Sequence, residues 1–377
     1  MCIMSGTAES AAVLYMAMEL GNRTWKLAFC TGEQNPRQVN VMAGETASLL
    51  RAISQAKTKF ALPPDTPVKS CYEAGRDGFW IHRFLETNGV NNLVVDASSI
   101  EVNRKMRRVK TDRLDADHLV RMLMRYWRGE KTVWGVARVP TVDQEDERRL
   151  QREMIRLKRE RARHYHRIKA LLCLHGLRFG RGWKHFEKFI EKVRQWDGSC
   201  LPERLLAELS REYRRIQLLD EQIEGLEKSQ AERLKCPVTT AQKKAAKLNR
   251  LRGVGPVSST LLSGELFAWR HFNNRRELGA LSGLTASPYA SGQYNHNQGI
   301  SKAGNRWIRA LMIEAAWNWL QYQPQSALSE WYRTRFGFGN KRQRKIGIVA
   351  LARKLLVALW KYVERDELPA GAILAVP

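Results

Sequence analysis

Four acidic residues stand where carboxylates can do chemistry. Glu19 lies in a strand-like run, Glu73 ends another, and Asp112 and Asp115 open a helical segment just after a third. Asp112 and Asp115 are three residues apart, so both face one side of their helix. Carboxylates grouped at strand ends can hold one or two Mg²⁺ ions beside a phosphate, which is the chemistry of phosphoryl transfer.

The same residues also have a simpler structural explanation. Acidic side chains at the start of a helix interact favourably with its dipole, and Thr111 is a typical N-cap. Spacing alone favours this capping role for Asp112 and Asp115. Asp96 and Asp117 are weaker candidates, because Asp96 ends a strand and Asp117 points away from the face of Asp115.

Composition narrows the choice of partner. Lys and Arg number 64 against 38 Asp and Glu, which gives the 377 residues a formal net charge of +26. A polyanion is therefore the expected partner, nucleic acid before a membrane surface. We expect a cytosolic protein, because no apolar run approaches the roughly 20 residues that span a bilayer and no signal segment is evident.

Cysteine and tryptophan add little to the functional prediction. The six cysteines are scattered and never form a CxxC pair, which favours reduced, mostly buried thiols over a zinc site or a disulfide framework. The twelve tryptophans fall largely in helical segments, where core packing is favoured over base stacking.

Alternating strands and helices are predicted in the first part of the chain. A three-strand meander is followed by helix, strand, helix, strand and a long amphipathic helix. This is the order of an RNase H-like α/β fold, in which the first strand, the fourth strand and the last helix converge at one edge of the sheet. The predicted elements span residues 12–20, 24–32, 37–44, 45–60, 68–74, 78–88, 91–97 and 112–127.

Long, highly charged helices are predicted next, over residues 144–176 and 201–234. Their sparse apolar stripes, near heptad spacing in the second, indicate an antiparallel hairpin or coiled coil that connects domains and could dimerise. Two ordinary bundle helices explain the pattern equally well.

The last region is predicted to be mainly helical. Residues 248–266 match a helix-hairpin-helix, in which Gly253 and Gly255 form the turn and expose backbone N–H groups toward a DNA phosphate. A loop-rich stretch at 283–304, a Trp-rich helix at 305–322, a basic turn at 333–344 and an apolar helix at 346–363 complete the prediction.

Two groups of polar residues could contact nucleic acid. The first directly precedes and enters the helix of Asp112 and could hold a strand across the acids, although a solvated loop is an equally simple explanation. The second could bind phosphate near a serine. The groups are Arg104, Lys105, Arg107, Arg108, Lys110 and Arg113, and Lys302, Asn305, Arg306 and Arg309.

Ser291 is the candidate nucleophile near the second group. Once activated, a serine hydroxyl can form a phosphoserine link that conserves the energy of a broken DNA bond. Most loop serines only form turns, and Ser282, Ser287 and Ser301 are alternatives. His296 in the same stretch is ambiguous, since a loop histidine near phosphate ligands is more often a binding or surface residue than a base. His164 and His166 are predicted to be surface or nucleic-acid contacts.

Several motifs together resemble one family of proteins. In chain order they are MELGNRTWKLAF, CYEAG, VVDAS, KTDRLDA, LRGVGPVSSTLL, LGALSGLTASPYASG and ISKAGNRWIR. This series resembles the transposases of insertion-sequence family 110, including the related 1111 subgroup. The resemblance implies a RuvC-like DEDD domain over residues 10–140, a coiled-coil connector over 141–236 and a C-terminal serine transposase domain over 237–377.

The resemblance also assigns roles to residues. Glu19, Glu73, Asp112 and Asp115 match the acidic set that would hold Mg²⁺, and Ser291 matches the catalytic serine. The chain departs from the family at Glu19, where Asp is common. The family further implies a structured bridge RNA that pairs with donor and target DNA, in a bacterial cytoplasmic, nucleoid-associated protein. Cleavage at two DNAs needs several active sites, so we expect a homodimer that assembles into a homotetramer.

Two other functions fit the residues. A metal-dependent Holliday-junction nuclease would use the acids with water as the nucleophile. A non-enzymatic nucleic-acid-binding protein would keep the acids for structure alone.

Overall fold

The computed structural model describes residues 12–32, 34–100, 112–180, 182–291 and 294–375. The chain forms two compact units, one ending at Pro140 and the other beginning at Thr141. No helix among the described residues is long and apolar enough to cross a membrane.

The first unit is built on a mixed five-stranded sheet. The strand order is β3-β2-β1-β4-β5. β1 is antiparallel to β2 and parallel to β4, β3 is antiparallel to β2, and β5 is parallel to β4. The predicted element order is confirmed and is compatible with an RNase H-like arrangement. The strands are β1 (Leu14–Leu20), β2 (Thr24–Cys30), β3 (Arg37–Met42), β4 (Val68–Glu73) and β5 (Val90–Val95).

Helices cover both faces of this sheet, because successive side chains of a buried strand point to opposite faces. Leu14, Met16 and Met18 pack on the face covered by the first two helices. Ala17 and Cys71 pack on the other face, against the third helix. The helices are α1 (Thr46–Lys59), α2 (Trp80–Thr87) and α3 (Asp112–Trp127).

An antiparallel helical hairpin dominates the first half of the second unit. The ion pairs Lys158–Glu227 and Arg161–Asp220 show that residue numbers fall along one helix as they rise along the other. This geometry confirms the predicted hairpin, although its first helix is broken after a short leading segment. The elements are α4 (Val142–Asp146), α5 (Arg149–Leu174), α6 (Phe186–Lys192) and α7 (Glu203–Lys235).

The rest of the second unit packs around a core of Leu, Ile, Met and Trp side chains. It confirms the predicted mainly helical region. Its helices are α8 (Thr240–Asn249), α9 (Pro256–Leu262), α10 (Arg275–Ser282), α11 (Arg306–Tyr322), α12 (Ala327–Phe336) and α13 (Lys341–Arg365), and α9 continues into a π-helical turn over Ser263–Phe267.

Two local predictions in this region are wrong. The stretch at 283–304 is not mainly loop, because β6 (Ala286–Ser291) and β7 (Tyr294–Ile300) form an antiparallel hairpin. The basic segment at 333–344 is mostly helical. There α13 begins at Lys341, since Asn340 and Gln343 form a reciprocal capping box that starts the helix before its apolar part.

Candidate active site

Glu19 and Glu73 lie side by side at the ends of two parallel strands. The register pairs Met18 of β1 with Tyr72 of β4, and each glutamate is the next residue of its strand. Residues at matching positions of adjacent parallel strands point to the same face of the sheet. Both glutamates are half-buried. The sequence prediction that these two strands would bring their acids together is therefore confirmed for this pair.

The two glutamates share a face with α3. Ala17 and Cys71, two residues before them, both pack against this helix. The Cys71 thiol donates to the carbonyl of Leu119 in α3 at 4.0 Å. Burial, and next the nearby Glu73 carboxylate, raise the pKa of Cys71 far above its ordinary value. Cys71 is thus a neutral, inert thiol beneath the acidic edge.

α3 runs against the direction of β1. Gln38 donates to Asp117 at 2.7 Å, and Arg121 donates to Asn35, which precedes Gln38 in the chain. Because β3 runs parallel to β1, later residues of α3 lie nearer the beginning of these strands. The start of α3 therefore lies at the edge where β1 and β4 end.

Asp115 occupies this first part of α3. It is half-buried and precedes buried Leu119 by one turn, on the side that packs against the sheet. Asp112 is the first residue of the helix, and its side chain is outside the described set. Asp117 accepts a hydrogen bond from Gln38 of β3 and so points away from the face of Asp115, as the sequence predicts.

A cavity of about 220 Å³ opens at this edge. Glu19, Glu73 and Asp77 all contribute to its lining. Asp77 was missed by sequence reasoning. The neighbouring Gly75 and Gly78 are a signal that could have found it, because they mark a tight turn after β4.

The acidic set is only partly described. Among the residues the structure covers, no group of three or more His, Cys, Asp or Glu is arranged to hold a metal ion. Arg104, Lys105, Arg107, Arg108 and Lys110 lie outside the described residues, as does the side chain of Arg113. The four-carboxylate metal site and the basic run before it remain predictions.

Ser291 ends β6 at the tip of the hairpin in the second unit. Its backbone pairs with Tyr294, the first residue of β7, and only Gly292 and Gln293 separate the two in sequence. The side chain of Ser291 is not among those described, nor is that of His296. Ser282 is excluded as an alternative nucleophile, because it is fully buried and donates to the Gly279 carbonyl at 2.8 Å.

The chain after this hairpin is fixed by close backbone packing. A Cβ atom on Gly304 would lie 2.1 Å from the Leu281 carbonyl oxygen, and one on Gly283 would lie 2.0 Å from that of Ala303. Arg309 donates to the Lys302 carbonyl at 2.9 Å, and Lys302 has a φ of 57°. The predicted phosphate-binding residues therefore lie on one constrained segment.

Asn305 has a structural task in that segment. Its side-chain oxygen caps α11 by accepting from the N–H groups of Trp307 and Ile308. Its amide nitrogen donates to the carboxylate of Glu265 at 3.3 Å. Both polar atoms of the Asn305 side chain are thus engaged within the protein. Its predicted contact with nucleic acid remains a prediction.

Glu265 and Arg152 are residues that sequence reasoning missed. Glu265 is buried in the π-helical turn, a type of distortion that recurs at functional sites. Arg152 of α5 forms an ion pair with it and also lies over the ring of Trp307. No local pattern marks this pair, because the two residues belong to distant segments.

Gly253 and Gly255 lie in the turn between α8 and α9, where the sequence predicts a helix-hairpin-helix. Gly253 has a φ of +90°, and a Cβ there would lie 3.0 Å from the Cβ of Tyr322. Gly255 caps α9, and Pro256 follows at its first position. Buried Gln323 donates to the carbonyls of Arg252 and Ile373, which fastens the turn to the C-terminal segment. Contact of Gly253 and Gly255 with DNA remains a prediction.

His164 is not the surface residue that its sequence context predicts. Its Nδ1 lies 2.6 Å from Glu212, which is buried between the hairpin helices and also bonded by Arg167 and Arg215. Burial opposes ionisation, but the hydrogen bonds from His164 and Arg167 prevail and lower the pKa of Glu212. His166 is exposed, as predicted.

Comparison with known proteins identifies the class of enzyme. Residues 245–331 match the family described as "Transposase IS116/IS110/IS902 family". The chain is 39% identical over 377 residues to "Putative transposase y4rJ" of Sinorhizobium fredii, covering 97% of this chain and 95% of that protein. It is 26% identical over 299 residues to the transposase for insertion sequence element IS1111A of Coxiella burnetii, covering 78% of this chain and 76% of that protein.

The chain therefore belongs to the IS116/IS110/IS902 family of transposases. It is a transposase of insertion sequences, an enzyme that cleaves DNA and transfers its strands. The resemblance seen in the sequence motifs is confirmed at this level. Family membership sets aside the non-enzymatic alternative and makes DNA a partner.

Proposed function

We propose that this transposase cuts and rejoins donor and target DNA through a covalent serine–DNA intermediate. The Ser291 oxygen attacks the scissile phosphorus, a new P–O bond forms, and the bond to the leaving deoxyribose oxygen breaks. The serine proton leaves through a base or solvent, and the leaving oxygen is protonated. A free DNA hydroxyl then attacks the phosphoserine, which regenerates Ser291 and rejoins the strand.

One observation carries the acidic half of this proposal. Glu19 and Glu73 end adjacent parallel strands, line one cavity and share a sheet face with the helix of Asp115. An explanation from helix capping alone accounts for Asp112 and Asp115 but gives no reason for two half-buried glutamates at the same edge. The RuvC-like assignment of residues 10–140 rests on this convergence and on the strand order.

The donors at this edge fit a divalent cation. Carboxylate oxygens are the ligands that Mg²⁺ prefers, and Glu19 and Glu73 approach one cavity large enough for an ion with its waters. We infer that Glu19, Glu73, Asp112 and Asp115 would hold Mg²⁺. When bound, the ion would supply positive charge beside the reacting phosphate. Glu19 keeps the charge of the Asp common in the family and reaches one methylene farther.

The position of Ser291 supports its role as nucleophile. A hairpin tip can enter a DNA groove, whereas Ser282 is buried in the core. Lys302, Arg306 and Arg309 follow on the constrained segment and supply charge for a phosphate. In this account Asn305 caps α11 and so positions the neighbouring cations that contact DNA.

Guidance by RNA is the second part of the proposal. A bridge RNA that pairs with donor and target DNA would supply sequence readout, so the protein would contact mainly backbone phosphates. The exposed arginines of α5, such as Arg159 and Arg163, offer a surface for it. Residues 141–236 would then be the coiled-coil connector and residues 237–377 the serine transposase domain.

Assembly into a homotetramer is the third part of the proposal. The acids belong to one compact unit and Ser291 to the other. Because the serine is distant in sequence from the acids, a site shared between subunits is permitted, and cleavage at two DNAs needs several active sites; we therefore propose a homodimer that pairs into a homotetramer.

The proposal is tested by trapping the protein on a cleaved DNA substrate. Wild-type protein, with its copurified RNA and Mg²⁺, should give a DNA band of reduced mobility on a denaturing gel. Protease treatment should remove the attached protein and return the band to nearly the mobility of free DNA. Ser291→Ala should abolish this band while DNA binding persists, and Ser301→Ala is the matched control. Cleaved ends free of protein would favour the Holliday-junction nuclease that uses water.

A further inference from the structure

The turn between α12 and α13 presents a fully exposed aromatic side chain. Phe338 is 100% exposed, whereas Phe336, two residues earlier, is partly buried and packs against the hydrophobic core. Exposure of a whole phenyl ring forgoes the free energy of burying it, about 2 kcal/mol for such a side chain. This turn lies outside the candidate active site and outside the residues that match the family model.

The turn is held firmly on the side of Phe336. A Cβ atom on Gly347 would lie 2.5 Å from the Cγ atom of the Phe336 ring, so the ring rests directly on the bare backbone of α13. The Phe336 ring also lies 5.6 Å from that of Trp331 and 6.0 Å from that of Tyr332. The Tyr332 hydroxyl donates to the Arg344 carbonyl at 3.3 Å, which joins the two helices beside the turn.

Backbone hydrogen bonds and a helix cap fix the turn itself. Gly337 donates to the Arg333 carbonyl and Gly339 to the Phe336 carbonyl. Asn340 and Gln343 bond each other's backbone N–H groups at 3.0 and 2.9 Å. Phe338 is therefore exposed on a preorganised turn, so binding a partner there would cost little conformational entropy.

Six cations flank this phenylalanine in the sequence. All six cations are exposed, and none of them forms an ion pair with a carboxylate of the described residues. The sequence from 331 to 363 contains no Asp or Glu. The cations are Arg333, Arg335, Lys341, Arg342, Arg344 and Lys345.

We propose that the α12–α13 turn is a DNA-contact surface, in which the six cations bind backbone phosphates and Phe338 stacks on an unpaired or unstacked base. Unpaired cations around a protruding aromatic ring match a partner with a phosphate backbone and base faces. The partner is DNA because strand cleavage and transfer expose unstacked bases beside the cut. The inference rests on family membership and is independent of the role of Ser291.

The charge contribution is tested by the salt dependence of binding. The probe is a fluorescein-labelled, mixed-sequence duplex, and its affinity is followed by anisotropy over a series of salt concentrations. Lys341→Gln with Arg342→Gln should flatten the slope of log K against log salt by about 2, or roughly 0.9 per lost phosphate contact. Lys361→Gln with Arg365→Gln, on the same helix, removes equal charge where both cations already approach Glu367. Equal effects of the two double variants would overturn the proposal.

The aromatic contribution is tested with a matched duplex that carries an unpaired bubble. Phe338→Ala should weaken bubble binding roughly tenfold and intact-duplex binding much less. Phe338→Trp should restore bubble binding. The control is Trp196→Ala, which removes a different exposed aromatic side chain, 92% exposed. Unchanged bubble affinity would contradict the proposal. So would loss of affinity for an RNA hairpin with DNA affinity intact, which would assign the turn to RNA.

Discussion

Arg152 and Glu265, 113 residues apart in sequence, form a two-pronged ion pair. Arg152 Nε lies 2.7 Å from Oε1 of Glu265, and its Nη2 lies 3.0 Å from Oε2. The same carboxylate accepts from Asn305, which caps α11. Glu265 thus ties the Arg-rich hairpin helix to the segment that follows the Ser291 hairpin.

Loss of this carboxylate should destabilise the second unit. Glu265→Ala leaves Arg152 and Asn305 without their acceptor. Because Glu265 is buried but Arg152 is half-exposed, losing these charge-assisted hydrogen bonds should cost about 2 kcal/mol. Glu265→Gln keeps an acceptor and should cost less. Urea unfolding measures both effects. The control is Glu227→Gln, which breaks the exposed Lys158 pair and should cost under about 1 kcal/mol. Equal losses for Glu265→Ala and Glu227→Gln would contradict a structural role for the Arg152 pair.

Local sequence patterns predicted the parts of the site that depend on short-range physics. Strand alternation, the glycine turn at 253–255 and the start of α3 at Asp112 follow from side-chain periodicity and backbone preference. The register that sets Glu19 beside Glu73 follows from parallel pairing of β1 with β4, which the element order implied.

Features that depend on tertiary packing were not predictable. The Arg152–Glu265 pair and the burial of His164 against Glu212 join segments whose approach no local pattern encodes. The sequence of the β6–β7 hairpin predicts a loop instead, because it is polar, contains glycine and lacks apolar alternation. Asp77 lines the cavity only because the turn after β4 folds it there.

Glu19 should tolerate aspartate but not an amide. Glu19→Asp keeps the negative charge at the cavity, so DNA cleavage should persist. Glu19→Gln and Glu73→Gln remove the charge and should each lower cleavage by roughly 10²-fold or more. Single-turnover cleavage of a labelled substrate measures this, with DNA affinity followed in parallel. Asp65→Asn, an exposed acid of the same unit, is the control. Full cleavage by Glu73→Gln would remove the acids from the mechanism.

A side chain at Gly304 should disrupt the segment beside the hairpin. Gly304 has a φ of +86°, and an added Cβ would meet the carbonyl oxygen and carbon of Leu281. Gly304→Ala should therefore destabilise the protein by at least about 2 kcal/mol. Gly299→Ala is the matched control, because a Cβ there meets nothing within 4 Å. Thermal unfolding compares the two variants, and an unchanged melting temperature for Gly304→Ala would contradict the close backbone approach of Gly304 to Leu281.

Acid should weaken the helical hairpin through Glu212. The pKa of this carboxyl is lowered in the folded state, so its stabilising contribution is present above the unfolded pKa of about 4.3 and is lost as pH falls through the folded value. The stability difference between wild type and Glu212→Gln should therefore be large at neutral pH and shrink below pH of about 4. Urea unfolding across pH measures it, with Glu221→Gln on the same helix as the charge control. A difference that is independent of pH would argue against the ion pairs.

The nucleophile can be located directly on the trapped protein–DNA adduct. After nuclease and protease digestion, mass spectrometry identifies the peptide that retains a nucleotide phosphate. The account predicts this remnant on Ser291 in wild-type protein and no remnant in Ser291→Ala. A remnant on Ser287 or Ser301, or cleavage that leaves no modified serine at all, would contradict it.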